Sequence, residues 1–174
     1  MFPILQTDRL VLRELTENDA QALLDCFSNP DVLRHYGQKP LTSLAQVKQI
    51  IRNFANNFEE KRGIKWGIEV LGQEGIIGTI GFQEWSVEHK KADISYALFP
   101  NSWGQGYAKE AVSIVISHGF QNMDLVRIGA IVFTENDASN KLLEKLGFKK
   151  EGVLRNFMHQ NDIPYDTNIY SLIK

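Results

Sequence analysis

The chain has 174 residues, of which 43% are hydrophobic and 23% charged, and its formal net charge is -2. That length supports one domain, residues 1–174, with a real core, and the charge balance gives no reason to expect nucleic-acid binding. The single Cys26 excludes an internal disulfide and a thiolate zinc site; no signal-peptide pattern opens the chain and no apolar run reaches bilayer length, so a cytoplasmic protein without membrane partners is expected.

Leu10–Leu15 reads as a first strand. Thr16-Glu17-Asn18-Asp19 is a cap followed by acidic residues, and Ala20, Leu23, Leu24 and Phe27 recur at helical spacing behind it. Asn29-Pro30 ends that helix, and a short second one is expected over Asp31–Tyr36, closed by Gly37. Ser43-Leu44-Ala45-Gln46 is a capping-box pattern. The helix behind it carries Val47, Ile50, Ile51, Phe54 and Phe58 on one side and stops at Gly63.

The period then changes to two. Trp66, Ile68 and Val70 alternate with Lys65, Gly67 and Glu69, and after the turn Gly72–Gly75 a strand is expected over Ile76–Phe82. His89-Lys90-Lys91 turns the chain into a strand over Ala92–Phe99. Short connections imply antiparallel pairing. A helix is expected over Tyr107–Gln121, a strand over Val126–Phe133 and a helix over Ala138–Leu146 stopped by Gly147. Strands over Lys149–Arg155 and Pro164–Ile173, joined through Gln160-Asn161-Asp162, close an α/β (α+β) domain with a mixed, mainly antiparallel sheet.

The segment Phe99-Pro100-Asn101-Ser102-Trp103-Gly104-Gln105-Gly106-Tyr107 carries the chemistry. Glycines just ahead of a helix let the backbone approach a ligand, and the first-turn N–H groups favour an anion there. It is not a P-loop, which needs Gly-Lys followed by Ser or Thr. It is not a dinucleotide fingerprint either, because Lys109 stands where that motif needs Gly or Ala.

Three spaced blocks resemble the GNAT N-acetyltransferases, and within them the RimJ/RimL branch that acetylates ribosomal-protein N-termini. They are Thr7–Arg13, Trp103–Ala111, and Asn136-x-x-Ser139 followed by Glu144–Phe148. Gly106 and Ala108 fill the last places of the family's Gln/Arg-x-x-Gly-x-Gly/Ala signature, and Trp103 replaces its Gln or Arg, as in that branch. The resemblance implies the GNAT fold, with helices on both faces of a sheet that splays into a V between Ala92–Phe99 and Val126–Phe133. Acetyl-CoA would lie there as co-substrate, its pantetheine bonded to free backbone groups of Ala97, Leu98 and Phe99. Its pyrophosphate would sit on the N–H groups of Gly104, Gln105, Gly106, Tyr107, Ala108 and Lys109. Partners would be an amine acceptor, a ribosomal protein N-terminus foremost, and a second copy of the chain in a homodimer.

In many GNAT enzymes a tyrosine meets the departing thiolate; its equivalent here is Leu143, which has no proton to give. Ser139 is the replacement the motif offers, with Asn136 holding the pantetheine. Both have plainer readings, Ser139 as a small helix residue and Asn136 as a helix cap. Glu84, then Asp93, are the candidate bases acting through water, while Glu110 reads as a helix-dipole partner. His35, His89, His118 and His159 share no ligand spacing, so no metal is expected. Trp66, Trp85, Tyr36 and Phe82 read as core or pocket wall. Segments Asp31–Lys39 and Asn156–Tyr165 are expected to shape the acceptor pocket. Acetylation of a small amine and a silent CoA-binding module are the competing functions.

Overall fold

The computed structural model describes residues 1–174. The strands are β1 (Leu5–Gln6), β2 (Leu10–Glu14), β3 (Ile64–Val70), β4 (Ile76–Ser86), β5 (Lys91–Leu98), β6 (Arg127–Phe133), β7 (Lys149–Gln160) and β8 (Ile163–Ile173). The helices are α1 (Ala20–Phe27), α2 (Pro30–Leu33), α3 (Leu44–Glu59), α4 (Tyr107–Asn122) and α5 (Asp137–Lys145). The strands form one sheet in the order β1-β2-β3-β4-β5-β6-β8-β7. Every neighbouring pair is antiparallel except β5 and β6, because α4 carries the chain back across the sheet between them.

Alternation along the strands builds two cores. Leu10, Leu12, Trp66, Ile80, Phe82 and Ile94 face one side, where Ala111, Val112 and Val115 of α4 and Leu143 of α5 cover them. Leu15, Ile76 and Ala97 face the other, under Leu23 and Phe27 of α1 and Val47 and Ile51 of α3. Trp66 is fully buried and its indole donates to the Pro3 carbonyl at 2.8 Å, so its wall-or-core reading resolves to core; Phe82 is core too. No helix is long and apolar enough to cross a membrane.

Four departures from the expected elements exceed a one-residue shift at an end. β1 is an added two-residue strand, too short to show a period. α2 starts one residue earlier, with Asn29 capping it and Pro30 in its first turn, and ends at Leu33 instead of Tyr36. β4 runs past Phe82 to Ser86 across a bulge where Glu84 takes φ +50°. β7 and β8 continue to a two-residue hairpin turn, Asn161-Asp162, both at positive φ, with a further bulge between Leu154 and Met158. Bulges at these points break the alternation that marks a strand in sequence.

Candidate active site

Strands β5 and β6 pair only over Lys91–Asp93 and Arg127–Gly129. Beyond Asp93 they part, as the V-shaped opening requires. At the parting point a Cβ on Gly129 would lie 2.3 Å from Asp93 Oδ1, so only glycine there leaves room for the Asp93 carboxyl.

The opening feeds two connected cavities. The outer one, about 590 Å³, runs between the Trp103–Lys109 turn and the first turn of α5. The inner one, about 430 Å³, lies under α1 and α3 against the sheet. His35, Tyr36, Tyr96, Asn136 and Ser139 line both and so mark the junction.

At the outer end, Gly104 and Gly106 take φ +73° and +81°, which turns the chain sharply into α4. Not one backbone N–H from Gly104 to Lys109 has a protein acceptor; the first paired amide is that of Glu110, which donates to Gly106. Such a row of unpaired donors at the start of a sixteen-residue helix is an anion cradle. The turn is held from behind. Arg9 donates to the Gln105 carbonyl at 2.9 Å, pairs with Glu110 at 2.6 Å and stacks over the Tyr107 ring. Thr7 also donates to Glu110, at 2.5 Å. Burial would raise the Glu110 carboxyl, but Thr7 and Arg9 outweigh it and hold it below its usual range. Glu110 is therefore a structural clamp, and the Thr7–Arg13 block has a physical role: it fixes the glycine turn.

Along β5 the expected trio needs correction. The Phe99 amide is not free; it donates to the Ile77 carbonyl at 2.8 Å. Alternation along the antiparallel pair turns the Ala97 groups the same way and aims those of Leu98 and Tyr96 into the opening. Leu98 is thus the one of the three whose backbone faces the outer cavity, and its carbonyl already accepts the Trp103 indole N–H at 2.9 Å. Trp103 ties the turn to the strand end.

At the junction, Asn136 caps α5, its Oδ1 accepting from the Ser139 amide at 3.3 Å. Its helix-cap reading holds, and its side-chain N–H₂ remains free of protein partners. Ser139 faces the Tyr96 hydroxyl, which is buried without a partner of good geometry. Burial pushes the Tyr96 phenol up, and the Ser139 hydroxyl pulls it part of the way back. A buried network aims this end of α5: Asn140 Nδ2 donates to the Phe133 and Asn136 carbonyls, and Asn140 Oδ1 accepts from Asn168 and Tyr170 at 2.8 Å each.

The two carboxylates ranked as bases separate. Glu84, ranked first, is exposed on the β4 bulge and lines neither cavity, because the bulge points it away. Asp93 lines the inner cavity. Burial raises its carboxyl, opposed by Lys91 and Arg127 and helped by Glu84. His35 carries no motif, yet its Nδ1 is buried at the junction with no partner. Tyr96 and Lys65 were missed as well. A strand tyrosine and a strand lysine look like pleat fillers until the V shows what they face. The Asp31–Lys39 segment does wall the inner cavity, through His35, Tyr36, Gly37 and Gln38. Buried Gln160 staples it to β7, accepting from the Gly37 amide at 2.8 Å and donating to the Gln38 carbonyl at 3.2 Å. Of Asn156–Tyr165 only Met158 lines the inner cavity. No group of three or more His, Cys, Asp or Glu is placed to hold a metal.

Residues 9–149 match the family described as an acetyltransferase (GNAT) domain. The chain is 52% identical over 174 residues to the uncharacterised N-acetyltransferase YoaA of Bacillus subtilis, covering all of this chain and 98% of that protein. It is 36% identical over 170 residues to the uncharacterised N-acetyltransferase p20 of Bacillus licheniformis, covering 98% and 96%. Among solved structures it is similar in fold to RimL, the ribosomal L7/L12 alpha-N-protein acetyltransferase, in complex with coenzyme A. The TM-score is 0.90 at 21% identity, over 98% of each chain.

Proposed function

The chain belongs to the GNAT acetyltransferase family, and from that premise we propose that it moves acetyl from acetyl-CoA to the α-amine of an acceptor seated in the inner cavity. The observation that carries the donor assignment is the row of unpaired amides from Gly104 to Lys109 at the mouth of the outer cavity. They fit the pyrophosphate, as donors fixed before the ligand arrives. The pantetheine then follows β5 past the backbone groups of Leu98 and Tyr96, as an added strand would, with the free amide N–H₂ of Asn136 on its other side. This path brings the thioester to the junction of the two cavities.

There the amine attacks the thioester carbonyl and the C–S bond breaks. Ser139, backed by the Tyr96 hydroxyl, donates a hydrogen bond to the leaving thiolate, which ends as the thiol by taking up the proton the amine has lost. The amine's proton passes to His35, which reaches the junction; Asp93 lies on the inner cavity alone. An α-amine, with an ordinary pKa about 8 against about 10 for lysine, needs less of a base. A protein N-terminus is the first acceptor to test, supported by the fold shared with RimL, and a ribosomal protein is the first such protein.

Calorimetry with acetyl-CoA, then thiol release over a panel of N-terminal peptides, amino acids and polyamines, tests this reading. Binding with release on α-amines supports it. Absence of acetyl-CoA binding overturns the donor assignment, and release on polyamines alone overturns the acceptor. Ser139→Ala lowers kcat about 10- to 100-fold, the lower range of acid–base catalysis, while acetyl-CoA affinity stays put. Equal loss of both removes Ser139 from the chemistry.

A further inference from the structure

The inner cavity holds a cation that none of this chemistry uses. Lys65 of β3, Gly81 of β4 and Ser95 of β5 stand in one cross-strand row. With glycine in the middle, the Lys65 side chain crosses β4 and donates to Ser95 Oγ at 2.7 Å. Its ammonium also lies 5.9 Å from the centroid of the Phe54 ring of α3. Lys65 has no carboxylate in ion-pair range, and burial alone brings its ammonium down to about 8. A partly buried cation held by a hydroxyl but by no carboxylate is suited to an anionic ligand.

The other titratable groups on the cavity are His35, Tyr36, Asp93 and Tyr96. Asp93 is the one carboxyl among them, and it makes no ion pair with Lys65. The Lys65 cation is therefore left without a carboxylate partner in the cavity. Ser95 and Lys65 line the same inner cavity as Tyr96, which also lines the junction, so the cation shares a cavity with the place of transfer. One ammonium and one hydroxyl match a single carboxylate; a phosphate dianion would call for more donors. The remaining wall is mostly apolar, with Leu23, Phe27, Val47, Ile50 and Phe54.

We propose that Lys65 and Ser95 seat a carboxylate carried by the acceptor close to its amine, so that the preferred acceptor is an amino-carboxylate and a polyamine is disfavoured. This rests on the inner cavity being the acceptor's place. Two sources offer that chemistry: the α-carboxylate of a free amino acid, and an acidic side chain at the start of a peptide.

The test measures kcat/KM on matched acceptors in two arms. Alanine and phenylalanine are compared with their amides, and an Asp-Ala-Ala amide peptide with its Asn-Ala-Ala counterpart. The expected result is a preference of at least about tenfold for the carboxylate form in one arm, the order of one charged hydrogen bond, which identifies the source. In Lys65→Met that ratio falls to about one; Ser95→Ala, a smaller change, lowers it part of the way and serves if Lys65→Met does not fold. Transfer with a ratio near one in both wild-type arms, or a ratio kept in both variants, overturns the inference while the acetyltransferase reading stands. A second measurement is independent of turnover. In lysine labelled with ¹³C, the Lys65 Cε resonance should shift saturably with sodium acetate and not with ethylammonium chloride. That response without acetylation of any acceptor keeps the anion seat and removes the acceptor reading; neither response nor transfer removes the seat.

Discussion

The outer and inner cavities meet at the same residues but are built differently. The outer one is made of backbone: a short contiguous turn whose amides point outward, followed by the helix they start. The inner one is made of side chains from α1, the loop after α2, α3, β3, β4, β5, β6, α5 and β7, converging from Leu23 to Met158. A backbone site binds what every relative must bind, and its requirement is geometric, so glycine at fixed spacing suffices. A side-chain site is set by whichever residues the fold brings together, and it can change acceptor without disturbing the donor.

That division predicts that lesions at the junction harm the chemical step alone, whereas lesions in the turn harm donor binding alone. The largest effect belongs to the junction. His35→Gln should lower kcat/KM about 100-fold, the low end for loss of a positioned base. Asp93→Asn should cost much less, since Asp93 reaches only the inner cavity. The opposite pattern, a large loss in Asp93→Asn and a small one in His35→Gln, would move the base to Asp93. Acetyl-CoA affinity measured by calorimetry should be unaltered in both variants; a matched loss of affinity would erase the distinction between the two cavities.

In the turn, Gly106→Val forces a β-branched residue to φ +81° and presses its Cβ within 3.3 Å of Arg9 Nη2. Strain at such a position costs about 1–3 kcal/mol, so acetyl-CoA affinity should fall roughly 5- to 100-fold. At saturating acetyl-CoA, kcat should be nearly preserved. A variant with normal affinity and depressed kcat would mean that the glycine turn serves the chemical step instead of the donor.

The same division explains what could be read from the chain. The mixed sheet and the glycine turn follow from local signals, periodicity, caps and the spacing of Gly104 and Gly106, whereas the V and the helices on both faces come with the family resemblance. The parallel pairing of β5 and β6 depends on partners far apart in sequence, and bulges at Glu84 and Asn156 hide the far ends of β4 and β7. Within the site, Ser139 and Asn136 were found because they sit in one block. Glu84 ranks ahead of Asp93 in the sequence because a strand residue such as Asp93 reads equally as solvated; in the fold the bulge turns Glu84, not Asp93, out to solvent. Lys65 and His35 carry no motif at all. His35 becomes visible only as a buried nitrogen without a hydrogen-bond partner, and Lys65 only as a cation that meets a hydroxyl and no carboxylate.

The clamp behind the turn gives the smallest and most discriminating prediction. Glu110 ties Thr7 and Arg9 to the first turn of α4, so Glu110→Gln should loosen the turn without touching any ligand. Partly exposed ion pairs of this kind contribute about 0.2–1 kcal/mol, so acetyl-CoA affinity should fall only about two- to fivefold and Tm by about 1–3 °C. The Glu110 carboxyl is held below its usual range in the folded chain, so its contribution is complete above the ordinary carboxylate pKa. It is lost as pH falls through the lowered value. Wild type and Glu110→Gln should therefore differ in Tm at neutral pH and converge in acid, below the ordinary carboxylate range. A difference that persisted there would mean that the carboxamide disturbs the helix start itself, and the Thr7–Arg9 segment would then lose its role as the brace of the donor site.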